Sequence, residues 1–296
     1  MKAITINLSN NEKLVIGTVQ FGISYGIANV GGQVHSNEVL SILDFAFENN
    51  INTLDTAKIY GNSEKVIGDY LKTHPNYAWD VITKLSDIDV ANQLKDSSKK
   101  LTIQPDVALA HSAELYLNKV FQVELKNAKE KQFVDKIGVS LYSKKEIIQV
   151  LNSSLKPDVV QLPMNILDSQ LYRQGVLGKI FEKGIEIHVR SAFLQGLFYL
   201  SKTDLETRFK DVVPYLEKLK SISADSDLTL SELSLLWLVS LKEVSKVIIG
   251  VDNLNQLRTH LETLEKNVAP SVFEEALSIC YENENILNPS LWPAKS

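Results

Sequence analysis

Four side chains able to move protons lie close to the ends of short apolar runs. Asp55, Lys84 and His111 each stand at the end of such a run, and Tyr60 lies in the loop after the first run. Asp55 and Lys84 are 29 positions apart, and Lys84 and His111 are 27 positions apart. A free tyrosine has a pKa of about 10 and is a poor acid at neutral pH. An ammonium beside a phenol stabilises the phenolate and so makes the phenol a better acid.

These four residue types fit the reduction of a carbonyl group, whose oxygen gains negative charge and must be protonated. We expect Tyr60 to be the general acid and Lys84 to be the cation beside it. Asp55 would keep Lys84 charged and oriented, and His111 would hydrogen-bond the carbonyl oxygen. Taken singly, a lysine at a strand end is more often a solvent-exposed surface residue, and a lone histidine is more often a hydrogen-bonded part of the core. The joint spacing favours an active site.

Eight short apolar segments could position these residues, because they alternate with segments of helical periodicity. This alternation predicts parallel strands joined by crossover helices, and strand–helix units of regular length predict a (β/α)8 TIM barrel. The alternative is a doubly wound open sheet, for which the Gly-rich fingerprint is missing. The predicted strands are Leu14–Thr18, Thr53–Ala57, Asp80–Leu85, Val107–His111, Lys136–Ser140, Val159–Leu162, Ile185–Ala192 and Val247–Gly250.

The helical segments follow from apolar residues that recur at helical spacing. We predict helices over Asn37–Glu48, Ser63–Lys72, Val90–Leu101, Lys119–Gln132, Ser143–Leu151, Ser169–Lys183, Leu205–Ser221, Thr229–Leu241, Leu254–Leu264 and Ser271–Tyr281. Asn62 and Ser63 are candidate caps of the second helix. The segment Thr5–Ile16 is predicted to form an N-terminal β-hairpin around a polar turn. No linker rich in Pro, Gly or Ser interrupts residues 1–296, which favours a single domain.

Composition narrows the function classes. The 296 residues are 44% hydrophobic with a formal net charge of −5 and no evident Lys/Arg cluster, which argues against nucleic acid or an anionic membrane surface as the main partner. The single cysteine, Cys280, excludes an internal disulfide. Met1–Asn7 does not resemble a signal peptide, and no apolar run approaches the roughly 20 residues of a membrane span. We therefore expect a cytoplasmic protein.

The stretch from Leu54 to Gly68 contains the pattern Asp-Thr-Ala-x-x-Tyr-Gly-x-Ser-Glu-x-x-x-Gly, which resembles the aldo-keto reductases, and short bacterial members in particular. The resemblance implies a TIM barrel that reduces aldehydes and ketones with a nicotinamide cofactor. It assigns Tyr60 as general acid, with Lys84, Asp55 and His111 completing the tetrad. It also implies a small-molecule carbonyl substrate and no metal, because the cofactor supplies the hydride. The five histidines show no ligand spacing such as H-E-x-x-H.

The resemblance covers nearly the whole chain and implies a cofactor site at several strand ends. Thr18 and Val19 lie in a segment similar to the family's first strand and loop. Ser140 and Gln161 match the residues that hold the nicotinamide amide. The remaining matches lie in the segment that resembles the pyrophosphate-binding loop and in the one that receives the adenosine end: Ser191, Phe193, Leu194, Gly196, Gly250, Asp252, Asn253, Gln256 and His260.

Two departures from the family pattern bear on the cofactor. The tyrosine that stacks on the nicotinamide ring aligns with Ser191, so stacking requires a substitute such as Phe193. The Lys and Arg found around the 2′-phosphate of NADPH align with Gly250 and Gln256, leaving Arg258 as the nearby cation. A bidentate arginine is the strongest type of phosphate contact. The family implies NADPH/NADP, and these departures make NADH/NAD an alternative.

Two other functions fit the same residues. One is an NAD-dependent dehydrogenase of a sugar or alcohol, which is the same chemistry in the opposite direction. The other is a non-catalytic, regulatory nicotinamide-binding barrel. A vague likeness of residues 189–197 to short bacterial members suggests a sugar-derived carbonyl as the substrate of the reductase. The sequence does not indicate the oligomeric state.

Overall fold

The computed structural model describes residues 10–292, whose eight strands form one closed parallel barrel. Each strand pairs with its neighbours in chain order, and β1 closes the barrel by pairing with both β2 and β8. This confirms the predicted TIM barrel. The strands are β1 Leu14–Gly17, β2 Thr53–Asp55, β3 Asp80–Leu85, β4 Val107–Ala110, β5 Lys136–Ser140, β6 Val159–Pro163, β7 Glu186–Arg190 and β8 Lys246–Gly250.

Helices surround the barrel and pack their apolar faces against the outside of the strands. The longer ones are Ser36–Glu48, Ser63–Thr73, Val90–Leu101, Lys119–Glu130, Lys144–Leu151, Val213–Ala224, Leu230–Ser240, Leu254–Leu264 and Pro270–Leu277. Shorter α-helices cover Val19–Gly22, Ala113–Leu117, Gln170–Arg173, Val176–Phe181, Lys202–Arg208 and Glu284–Leu287. Segments of 3₁₀ helix lie at Asn11–Lys13, Leu194–Tyr199, Lys210–Val212 and Pro289–Leu291.

Local sequence explains where several helices begin. Ser143 and Glu146 form a capping box at the start of Lys144–Leu151, because each side chain bonds the backbone N–H of the other. Thr229 and Glu232 do the same for Leu230–Ser240. That helix is buried on nearly all sides, with Trp237 among the largest fully buried side chains. Its place in the core explains why its sequence is apolar all round.

Hydrogen bonds between strands that are not neighbours identify the side chains inside the barrel. Gln161 on β6 donates to Asp55 on β2 across the interior, and Lys136 on β5 donates to Glu186 on β7. In contrast, Thr83 points outward and donates to Glu64 on the helix Ser63–Thr73. Side chains alternate along a strand, so Asp55, Lys84 and Gln161 share the inward orientation that strand spacing alone could not establish.

Three features differ from the sequence-based expectation, and the predicted hairpin lies partly outside the described residues. The first half of the predicted hairpin lies outside the described residues, and its second half is a 3₁₀ turn followed by barrel strand β1. Asn62 precedes the helix Ser63–Thr73 without a side-chain cap bond, because its Oδ1 accepts from Gln33 instead. Ser169–Lys183 is two short helices separated by Gly175, which has a φ of 65°. Phe209, at φ −139° and ψ 39°, likewise interrupts the helix predicted over Leu205–Ser221.

Candidate active site

A buried polar pair forms the floor of the site at the carboxyl ends of β2 and β3. Lys84 is 1% exposed and Asp55 is 4% exposed. Lys84 Nζ donates a short hydrogen bond to Asp55 Oδ1, and it lies 3.3 Å from the carbonyl oxygen of Thr56. Gln161 Nε2 donates to the second carboxylate oxygen of Asp55 at 2.8 Å. Both oxygens of Asp55 are therefore occupied, and the lysine is held in one place.

The protonation of Lys84 follows from its neighbours. Burial by itself lowers the pKa of this lysine, but the charges of Asp55 and Tyr60 and hydrogen bonding to both raise it by more. The net pKa of Lys84 lies above its usual value. Lys84 is therefore a cation at neutral pH, with Asp55 as its counter-ion.

Tyr60 lies above this pair on the loop between β2 and the helix Ser63–Thr73. The Nζ atom of Lys84 is 5.1 Å from the centre of the Tyr60 ring. The loop is held against Gly22, since a Cβ added to Gly22 would lie 1.8 Å from the carbonyl oxygen of Tyr60. Gly61, the next residue, has a φ of 58°, and a Cβ added to it would lie 2.4 Å from the Gly22 carbonyl oxygen. The position of Tyr60 therefore depends on two glycines.

His111 completes the group from the end of β4. Its ring lies edge-on to the ring of Tyr60, with centroids 6.3 Å apart. Burial, followed by the charges of Lys84 and Arg190, lowers the pKa of His111 to about 4. The imidazole is therefore neutral at pH 7. Its Nδ1 has no hydrogen-bond partner among residues 10–292.

A cavity of about 1150 Å³ opens above these four residues, and Asp55, Tyr60, Lys84 and His111 all line it. A volume above the roughly 300–1,000 Å³ of an ordinary ligand pocket can hold a dinucleotide together with a substrate. Most of the residues predicted to bind the cofactor line the same cavity: Thr18, Val19, Ser140, Gln161, Ser191, Phe193, Gly196, Gly250, Asp252, Asn253, Gln256 and His260. Leu194 does not, because its side chain is fully buried in the core.

The end of the cavity near β5 and β6 has free polar groups suited to an amide. Ser140 and Gln161 are neighbours in the strand register and both line the cavity. Gln161 uses its Nε2 on Asp55, while its Oε1 has no partner in the described part of the chain. A buried acceptor without a donor is unfavourable. A nicotinamide amide N–H would satisfy it, so the residues present fit that group.

The opposite end of the cavity lies beside β8 and the helix Leu254–Leu264. Asn253 caps this helix by accepting from the backbone N–H of Gln256. The cavity lining there includes Asp252 but not Arg258, whose guanidinium lies 4.4 Å from the Phe45 ring centre instead. Arg258 therefore does not supply the cation that the sequence suggested for a 2′-phosphate.

Two loops meet over the cavity. In the β7 loop, Phe193 stacks on His260 with ring centroids 4.8 Å apart, so one face of Phe193 is already covered. The loop after β1 crosses to this segment, where Ile27 donates its backbone N–H to the carbonyl oxygen of Gln195. The same loop reaches the end of β8 through a 3.0 Å hydrogen bond from Asn29 to Asp252. These contacts enclose the middle of the cavity.

Sequence reasoning gave no role to three residues at the cavity mouth: Tyr25, Tyr142 and Arg190. A usable signal was present in β7, where Glu186, His188 and Arg190 occur at every second position. Side chains at that spacing point the same way. Since His188 is 3% exposed inside the barrel, Arg190 had to project into the open end.

The comparison of the sequence with known families decides the classification. The sequence model of the Aldo/keto reductase family matches residues 13–279. The chain belongs to the aldo/keto reductase family. The resemblance noted in the sequence is thereby confirmed, and the family implies an oxidoreductase that acts on small-molecule carbonyl compounds.

Individual relatives are distant. This aldo-keto reductase is 24% identical over 286 residues to the uncharacterized oxidoreductase YqkF of Bacillus subtilis, covering 85% of this chain and 90% of YqkF. Its fold is similar to that of aldo-keto reductase AKR11C1 from Bacillus halodurans in its holo form, with a TM-score of 0.71, 19% identity and coverage of 92% and 94% of the two chains. The thermostable aldo-keto reductase Tm1743, solved with the inhibitor epalrestat, gives a TM-score of 0.70, 20% identity and coverage of 90% and 94%.

Residues 10–292 contain no helix with the length and apolarity needed to cross a bilayer. Over the same range, no group of three or more His, Cys, Asp or Glu side chains is placed to hold a metal ion.

Proposed function

We propose that this aldo-keto reductase reduces an aldehyde or ketone to the alcohol, with Tyr60 as the proton donor. One observation carries the proposal. Tyr60 and His111 face a large cavity directly above a fully buried ion pair between Lys84 and Asp55. A buried lysine that keeps its charge is unusual in a core, and here it lies beside a phenol.

In the proposed reaction, the nicotinamide cofactor supplies the hydride. Tyr60 donates its phenolic proton to the substrate oxygen as negative charge develops there. Lys84 stabilises the phenolate that remains, and Asp55 keeps the ammonium of Lys84 in position. Neutral His111 can donate one N–H to the same oxygen, which adds a preorganised hydrogen bond where charge develops. Every group needed to move the proton belongs to this chain.

Replacing Tyr60 with Phe tests the proton donor. The variant removes the hydroxyl and leaves the ring, so we expect kcat to fall by about 10²- to 10⁴-fold. Cofactor affinity, measured by tryptophan fluorescence, should stay within about twofold, because the hydroxyl is assigned to the substrate oxygen. The matched control is Tyr77→Phe, since Tyr77 stacks on Phe47 and does not line the cavity. Full turnover by Tyr60→Phe would refute the assignment and favour a regulatory barrel.

We propose a nicotinamide dinucleotide as cofactor, with NADH bound at least as tightly as NADPH. The lining contributed by residues 250–260 contains the carboxylate of Asp252 and no lysine or arginine. A 2′-phosphate carries about two negative charges and gains most from arginine forks. Outside this segment the lining contains Lys220 and Glu232, and Glu232 is paired with Lys266 at 2.8 Å.

Titration with NADH and with NADPH, followed by tryptophan fluorescence, measures this preference. We expect the dissociation constant for NADPH to equal or exceed that for NADH. An NADPH affinity at least about tenfold higher, a difference of about 1.4 kcal/mol, would contradict the assignment. Binding of neither cofactor would reject the reductase function itself.

A further inference from the structure

Arg190 is a cation at the cavity mouth without a counter-ion. It ends β7 and lines the same cavity as Tyr60 and His111. Within residues 10–292 its guanidinium makes no ion pair, and its two hydrogen bonds are long. One goes to Ser191 Oγ at 3.4 Å and the other to the carbonyl oxygen of Leu141 at 3.3 Å. An arginine has five N–H donors, so most of them have no partner among the described residues.

The guanidinium is nevertheless held in place. It lies over the ring of Tyr142, with 4.2 Å between the guanidinium carbon and the ring centre. A stacked arginine loses less conformational freedom when it binds a planar anion, because its fork is already oriented. A free surface arginine would lack this restraint. The arrangement therefore has the character of a binding site.

Arg190 lies in the same part of the cavity as the proposed proton donor, Tyr60, and as His111. Its charge is among the causes that lower the pKa of His111, after burial and Lys84. Tyr25, across the mouth, interacts electrostatically with Tyr60, Arg190 and Tyr142. A ligand group at Arg190 would therefore be next to the reacting carbonyl. The segment that resembles the pyrophosphate-binding loop begins at Ser191, directly after Arg190, and the adenosine end lies at the loop and helix after β8.

The charge balance of the site points to an anion. Among Asp55, Lys84, His111 and Arg190, the charge of Lys84 is neutralised by Asp55 and His111 is neutral, so Arg190 carries the uncompensated positive charge. Tyr25 and Tyr142 flank it with rings that are 39% and 40% exposed. Aromatic walls with one unpaired guanidinium suit a small organic molecule that carries a carboxylate.

We propose that the substrate is a carbonyl compound bearing a carboxylate, and that Arg190 binds this carboxylate through its fork. This rests on the proposed reductase function and narrows its substrate class. Tyr60 then meets the carbonyl oxygen, and Arg190 holds the opposite end of the same molecule. The other available anion is a phosphate of the cofactor, and the experiment separates the two sources.

The test compares 4-carboxybenzaldehyde with its methyl ester, which lacks the negative charge and carries one additional methyl group, in the wild type and in Arg190→Gln. Arg190→Gln should lower kcat/KM for the acid by about 10- to 100-fold, which is the value of a charge-assisted hydrogen bond, and change that for the ester by less than about threefold. Arg190→Lys should recover only part of the loss, because an ammonium cannot form the fork. Arg208→Gln is the control, since Arg208 is exposed and does not line the cavity.

Binding provides a readout that does not need turnover. Calorimetric titration of 4-carboxybenzaldehyde into the protein with oxidised cofactor should show the same loss in Arg190→Gln. Affinity for the cofactor alone should be unchanged by the substitution. An unchanged acid-to-ester ratio would overturn the proposal, and a parallel loss of cofactor affinity would assign Arg190 to a cofactor phosphate. Failure of the wild type to reduce the ester with either cofactor would count against the reductase function, while the acid titration still decides the role of Arg190.

Discussion

At the scale of single residues, the site depends on Asp55. One of its carboxylate oxygens accepts from Lys84 and the other from Gln161, while its backbone carbonyl accepts from both the amide and the hydroxyl of Thr18. Removing one partner of a buried ion pair leaves an uncompensated charge and is strongly destabilising. The residues that support the proposed proton donor are therefore also needed for the stability of this end of the barrel.

His111 gives a prediction about pH. Because the pKa of its imidazole is about 4, below the usual value of about 6.5, it stays neutral from pH 5 to pH 8. We expect kcat/KM to show no ionisation near pH 6.5 that depends on this residue. The measurement is the pH profile of the wild type and of His111→Gln. An inflection near pH 6.5 that the substitution abolishes would contradict the assigned neutral state.

At the scale of elements, Tyr60 depends on how closely two loops approach. The short helix Val19–Gly22 after β1 packs against the β2 loop that carries Tyr60, and Gly22 is the point of closest contact. A side chain at this position would push the Tyr60 backbone away from Lys84. Displacing a catalytic group by about 1 Å can lower the rate by about two orders of magnitude.

Gly22→Ala tests this contact. The added Cβ would lie 1.8 Å from the Tyr60 carbonyl oxygen, so the loop must move. We expect kcat/KM to fall by about 10- to 100-fold, with a loss of about 1–3 kcal/mol in unfolding free energy from overpacking. Gly178→Ala is the matched control, because a Cβ there meets no atom within 4 Å. Equal effects of the two substitutions would show that the contact at Gly22 does not position Tyr60.

At the scale of the whole molecule, the barrel buries histidines that do not take up a proton easily. Burial lowers the pKa of His260 to about 4, although the charge of Glu232 acts in the opposite direction. His260 is 7% exposed and stacks on Phe193, so the helix after β8 and the β7 loop are in contact at this histidine. Unfolding exposes the imidazole and returns its pKa to about 6.5.

The contribution of His260 to stability should therefore fall as the pH falls below neutral. Between about pH 6.5 and pH 4 the unfolded chain binds a proton at His260 that the folded chain does not, so stability falls as pH falls. For this residue the loss is about 2 kcal/mol at pH 5. We expect the urea midpoint to drop less between pH 7 and pH 5 in His260→Leu than in the wild type. His35→Leu, at an exposed position, is the control and should behave as the wild type does. An equal drop in all three proteins would contradict the prediction.

The sequence by itself predicted the barrel and which residues lie together at one of its ends. Apolar segments that alternate with helical segments at regular intervals indicate parallel strands with crossover helices, and the strand ends of a barrel lie together at one face. Asp55, Lys84 and His111 were therefore predictable as neighbours, with Tyr60 on the loop above them. The helix predicted over Thr229–Leu241 likewise lies at Leu230–Ser240, where Thr229 is the capping residue.

Only the tertiary structure decided which atoms meet. Gln161 contacts Asp55 across the barrel interior, although the two residues are 106 positions apart in the chain. Leu194 turned inward to the core, and Arg258 turned to Phe45, because packing with distant elements selects a side chain's direction. Arg190 gained its importance for the same reason, since no local pattern shows that a cation lacks a counter-ion. Spacing along the chain fixes which end of a strand a residue occupies, while long-range packing fixes its partners.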